Sequence, residues 1–270
     1  MPHAGASGGL TPHDRWFVPL FGGTVLLAWV ALGAWDLSPF AEYLRHDWTR
    51  LGLAAGLCSA LPAGEVIGPA LLYAGGWVLM TAAMMLPTTL PLVMVFRRMT
   101  RSRRDGGRLL ALLFAGYLGA WFGFGIAAHL LGMLLLEAAR ASLWLTFNGW
   151  AIGAGILGAA GLFQFSRLKY RCLDGCRSPL PFVLARWKGQ RPARESLGIG
   201  FAHGAYCVGC CWLLMLLMFV VGTGSLGWML ALGAVMALEK NSRWGRRLAA
   251  PLGVALLLAA AGVAVSAAGV

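Results

Sequence analysis

Gly204-Ala-Tyr-Cys207-Val-Gly-Cys210-Cys211-Trp-Leu-Leu-Met215-Leu-Leu-Met218 is the stretch that decides how this chain is read. It contains no charged residue, and the apolar run around it, Ser196 to Val221, is long enough to cross a bilayer as a helix at ~1.5 Å per residue. At ~100° per residue, His203, Cys207, Cys210, Cys211, Met215 and Met218 fall within an arc of about 140°. One face of a spanning helix therefore carries sulfur and imidazole donors in succession. Such soft donors select Cu(I), and also Zn²⁺ or iron–sulfur clusters, whereas Mg²⁺ and Ca²⁺ require oxygen. The candidate metal ligands on this face are Cys207, Cys210, Cys211, Met215, Met218 and His203.

The rest of the chain fits a lipid setting. Mean hydropathy is +0.72, 59% of residues are apolar and 12% are charged, against about a quarter charged in soluble domains. We expect an all-α, polytopic membrane bundle forming a single transmembrane domain over residues 1–270, with about seven spans. Their expected positions are 16–35, 75–96, 109–136, 144–165, 196–221, 226–238 and 248–268, the sixth being short. The first apolar run exceeds the ~7–15 residues of a signal-peptide core and is read as an anchor. Leu51 to Tyr73 is also apolar but contains Pro62, Glu65 and Pro69, and is read as an interfacial or re-entrant piece. Gly119 with Gly123, Gly149 with Gly153, and Gly200 with Gly204 have the spacing that lets helices approach closely.

Charge sets the orientation. The connectors Arg97 to Arg108, Ser166 to Glu195 and Lys240 to Arg247, together with Arg15, hold 19 of the 22 Lys and Arg residues, and all fall on one side if seven spans are counted. By the positive-inside rule that side is cytoplasmic, with the N-terminus inside and the C-terminus outside. The net charge of +12 is thereby explained as a topogenic signal, and no nucleic-acid partner is expected. Location in a cytoplasmic (inner) membrane follows as the expectation, with the lipid bilayer as the main partner.

Two further groups of donors lie elsewhere. Met84 and Met85, in a span running the opposite way, reach the same depth as Cys207 to Cys211, about 17–23 Å from the cytoplasmic ends of their helices. Pro87 and Pro91 follow, and each deprives the carbonyl four residues earlier of its helical partner. In the connector 166–195, Cys172 and Cys176 stand at an interval that places both on one side of a helix, although Gly175 argues for a bent loop. Lys169, Arg171 and Arg177 beside them favour the thiolate form. Glu239 and Lys240 close the sixth span. We expect Lys240 to snorkel to the interface, and Glu239 to pair with an Arg of the Cys172 connector.

Trp77-Val-Leu-Met80-Thr-Ala-Ala-Met84-Met85-Leu-Pro87, the Cys172-x3-Cys176-Arg177 connector, Gly204-Ala-Tyr-Cys207-Val-Gly-Cys210-Cys211-Trp212 and Glu239-Lys240 together resemble the DUF2182 family of metal-binding integral membrane proteins. Some of its members carry the label copper chaperone. The resemblance covers roughly Trp77 to Lys240 and implies a polytopic bacterial membrane protein with a metal role, without a defined reaction or ligand set.

Several activities are excluded. The chain has no Gly-x4-Gly-Lys-Ser/Thr phosphate loop, no His-Glu-x2-His and no Gly-x-Ser-x-Gly elbow. Nor has it room for the cytoplasmic domains of a metal-pumping ATPase. Three readings stay open. The first is Cu(I) handling, with zinc as the second metal, in which Cys172 and Cys176 exchange the ion with a donor or acceptor protein and the Cys207 to Met218 face holds it. The second is a membrane thiol–disulfide oxidoreductase, and the third a non-catalytic assembly subunit. An enzymatic role is the lesser expectation, and the oligomeric state is not legible.

Overall fold

The computed structural model describes residues 12–38, 67–221 and 226–268. Apart from turns and short links, the described residues are helical: α1 (Pro12–Asp36), α2 (Ile67–Met85), a 3₁₀ turn at Pro87–Thr89, α3 (Leu90–Thr100), α4 (Gly106–Ala141), α5 (Leu143–Phe147), α6 (Trp150–Phe163), α7 (Arg167–Arg177), α8 (Pro179–Leu184), α9 (Pro192–Val221), α10 (Leu226–Asn241) and α11 (Gly245–Ala268). This is the outcome lipid imposes, because a helix satisfies its own backbone hydrogen bonds where no water is present.

Among the described residues, Trp16–Asp36, Gly106–Ala139, Pro192–Met218 and Gly245–Ala267 are single helices long and apolar enough to span. Two bent pairs, Ala74–Met85 with Pro87–Thr100 and Trp150–Phe163 with Arg167–Arg177, are each a broken span or a re-entrant loop, and bring the number to as many as six if each is one span. The 16-residue α10 reaches about 24 Å, short of a ~30 Å hydrocarbon core. The structure bears on two expected segments. The span 144–165 is broken, because Ser142 caps the short α5 and α6 begins only at Trp150. Of the segment 51–73, residues 51–66 lie outside the described residues, and 67–73 form the first turns of α2.

The proline break bends the α2–α3 pair by 48°. Pro87 lacks an N–H, so the carbonyl of Ala83 has no helical donor, and the Trp29 indole of α1 donates to it at 3.1 Å. Within the break, Thr88 Oγ1 donates to the Met85 carbonyl at 2.7 Å and Thr89 Oγ1 to Leu86 at 2.8 Å. The kink is thus closed by named donors. Trp29→Phe leaves the Ala83 carbonyl orphaned in an apolar setting, and we expect a loss of about 1–3 kcal/mol. A thermal melt of the purified protein in detergent checks it.

The central pair is α4 with α9, and glycine sets their separation. A Cβ at Gly200 would overlap the Leu113 carbonyl, one at Gly116 the Leu197 carbonyl, and one at Gly204 would stand 2.9 Å from the Tyr117 carbonyl. Of the three expected glycine pairs, Gly200 with Gly204 makes this contact, whereas Gly119, Gly123 and Gly149 face open space and Gly116 takes their place on α4. Helix α6 packs on α11, α1 on α2, and α7 lies against both α9 and α10. Outward faces remain apolar, as at Leu130, Leu134, Phe201, Leu258 and Val265, which suits contact with acyl chains.

Candidate metal centre

Residues from α2, α4, α7, α9 and α10 converge on one buried sulfur-rich core. The α9 backbone places Cys207, Cys210 and Cys211 on the inward face, each about 1% exposed. Both later thiols donate back to the Cys207 carbonyl, Cys210 Sγ at 3.1 Å and Cys211 Sγ at 2.9 Å. The three sulfurs are thereby held around one turn.

Helix α7 brings the second pair. Ser166 caps it by accepting from the Lys169 backbone N–H at 3.1 Å, and the helix runs unbroken through Gly175. The expected bent loop is therefore corrected: glycine stands here because a Cβ would strike the Tyr206 ring at 2.8 Å. Cys172 and Cys176 are half-buried and free. Cys176 packs against the core cluster that holds Cys207 and Cys210. Cys172 Sγ occupies the space that a side chain at Gly209 would need, 2.6 Å from such a Cβ. All five thiols of the two motifs therefore share one neighbourhood.

The basic residues around Cys172 do not serve as expected. Lys169 is fully buried and donates to both carboxylate oxygens of Glu239, at 2.9 and 2.8 Å. Arg177 donates to the Glu239 backbone carbonyl at 2.6 Å. The expected partner of the Glu239 carboxylate was an arginine; a lysine takes it, and the arginine takes the main chain instead. Both cations are thus committed to docking α7 on the end of α10.

Lys240 departs furthest from expectation. It is 6% exposed and points inward rather than snorkelling. Its ammonium lies 2.8 Å from Cys207 Sγ, 3.5 Å from Met85 Sδ and 3.8 Å from Cys211 Sγ. The lysine nitrogen is therefore seated among three sulfurs. Tyr117 of α4 completes it, its hydroxyl 3.1 Å from Cys207 Sγ and 3.4 Å from the Met85 carbonyl, to which it donates. Neither Tyr117 nor Lys240 was singled out from sequence as a site residue. The available signals were a tyrosine inside an apolar span and a lysine directly after an acidic residue at a helix end.

The other candidates sit farther off. Met84 is buried against Gly233 of α10. Met215 and Met218 are fully buried in the same core, about 6 and 10 Å along the helix from Cys211. His203 is turned toward aromatic rings, 5.5 Å from Phe182 and 6.0 Å from Tyr117, with its Nδ1 unpartnered. Among the described residues, no group of three or more His, Cys, Asp or Glu side chains forms a cage able to hold a metal ion. Such an arrangement does not suit structural zinc, which takes four ligands.

A family model described as PpoB2, copper chaperone, matches residues 74–264, and the chain belongs to that family. No curated protein matches the chain. No solved structure matches it either.

Proposed function

We propose that this member of the copper chaperone family carries Cu(I) as cargo within a membrane, held by Cys176 together with Cys207 or Cys210, with Cys172 as the point of exchange. The observation that supports the reading is the convergence of thiols from two separate elements: the half-buried pair on α7 packs against the core cluster that holds the buried trio on α9. Thiolate sulfur prefers Cu(I), and a linear pair of thiolates needs no preformed cage. Met85 supplies a thioether at the same niche, and Met84, Met215, Met218 and His203 line the further path.

With α10 counted as a short seventh span, the basic connectors favour α7 at the cytoplasmic face of a bacterial inner membrane, the N-terminus inside and the C-terminus outside. Cys172 and Cys176 then meet a soluble donor or acceptor protein in a reducing compartment, where thiols stay available for the metal. The buried trio excludes water and competing hard cations.

Protein purified anaerobically should bind about one or two equivalents of Cu(I) through sulfur. Replacing Cys207, Cys210 and Cys211 together with Ser should remove at least one equivalent. Unchanged copper content in that variant overturns the assignment. A copper-insensitive disulfide among these cysteines, trapped by acid and alkylation of growing cells, transfers the site to thiol–disulfide exchange instead.

A further inference from the structure

We propose that Lys240 is the fixed counter-cation of the thiol niche and makes it selective for a monovalent soft ion over a divalent one. The proposal rests on the copper reading above and adds the residue that sets which charge the site accepts.

The geometry carries it. Lys240 Nζ contacts Cys207 Sγ at 2.8 Å and reaches Cys211 Sγ and Met85 Sδ, with the side chain nearly sealed from solvent. Among the described residues, no carboxylate forms an ion pair with it, and the neighbouring Glu239 carboxylate is taken by Lys169. The cationic groups packed nearby are committed elsewhere, Lys169 to that carboxylate and Arg177 to a main-chain carbonyl. Lys240 thus brings one positive charge into the sulfur core, its ammonium in contact with two thiols and a thioether and the Tyr117 hydroxyl on the same Cys207 sulfur.

Charge counting then separates the metals. Cu(I) held by two thiolates leaves one net negative charge, as the two thiol protons pass to buffer. The ammonium beside Cys207 cancels it. A divalent ion on the same two thiolates is already neutral, and the ammonium becomes an unbalanced charge in a low-dielectric interior, where such charges are costly. A third thiolate would restore balance for a divalent ion, but closed divalent sites take four ligands, and no three-donor cage exists among the described residues.

The test uses the full chain in detergent under anaerobic conditions, with Ag⁺ as the redox-inert monovalent probe and Cd²⁺ as the divalent one. Their relative affinities are read by competition with chelators and by the sulfur-to-metal absorption bands. Lys240→Met keeps the apolar stem and removes the charge, Lys240→Gln removes it with a polar end, and Lys240→Arg retains it. We expect the Ag⁺ to Cd²⁺ preference to fall by about tenfold or more in both neutral variants, and to stay near wild type in the arginine variant. The readout is a ratio on the same monodisperse fraction, so partial loss of folded protein cancels. An unchanged ratio in the neutral variants overturns the proposal, as does an equal change in the arginine variant. If wild type binds both ions and loses them in Cys207→Ser with Cys210→Ser, but the ratio ignores Lys240, only this inference fails. If the Cys207→Ser, Cys210→Ser variant binds Ag⁺ undiminished, the copper site itself fails with it.

Discussion

Glu239→Gln should destabilise the folded protein by about 3–5 kcal/mol, because it strands the Lys169 ammonium where no water reaches it. Both partners are buried, Lys169 at 0% and Glu239 at 2% exposure, so solvent screening does not soften the loss. Glutamine still offers a carbonyl oxygen to one ammonium proton, but it returns no charge. Removing both charges, as in Lys169→Met with Glu239→Gln, should restore most of the stability, since replacing a buried pair costs far less than breaking it. Thermal unfolding of wild type and the two variants in detergent, followed by tryptophan fluorescence, gives the comparison. Single and double variants of equal stability would show that the pair does not hold α7 in place.

Gly200→Val should cost about 3 kcal/mol, at the upper end for overpacking, because the obstacle is main chain rather than a side chain that can turn aside. The smallest added carbon at Gly200 meets the Leu113 carbonyl. Helix α9 must then move away from α4, and with it Cys207 leaves the Tyr117 hydroxyl that stands 3.1 Å away. Gly198, one turn-face removed, has nothing within 4 Å of such a carbon, so Gly198→Val should be nearly silent. Comparing the melting temperatures of the two variants isolates the contact from the helix propensity they share.

The cysteine face was legible because a 3.6-residue period and an unusual density of thiols can both be counted along one helix. The break at Pro87 was legible because proline removes a donor wherever it stands, although only the fold shows that Trp29 supplies the replacement. Lys240 was not legible. A lysine at a helix end normally finds water, and nothing in its neighbours reveals that α7, fastened through Lys169 and Arg177, lies over that end. The glycine spacing has the same defect: it identifies surfaces able to approach another helix, but not that Gly116 meets one while Gly119 and Gly123 do not. Linear spacing records the face of a helix, and contact depends on what is placed opposite.

Glu239 and Lys240 are consecutive, yet one is fastened to α7 and the other to the sulfurs of α9. Consecutive side chains on a helix diverge by ~100°, so their partners measure the angular setting of α10 from two directions at once. A rotation that slackens one grip alters the other. The end of α10 therefore works as a goniometer between the surface helix and the core: two adjacent side chains, gripped from two sides, fix one rotation of the helix.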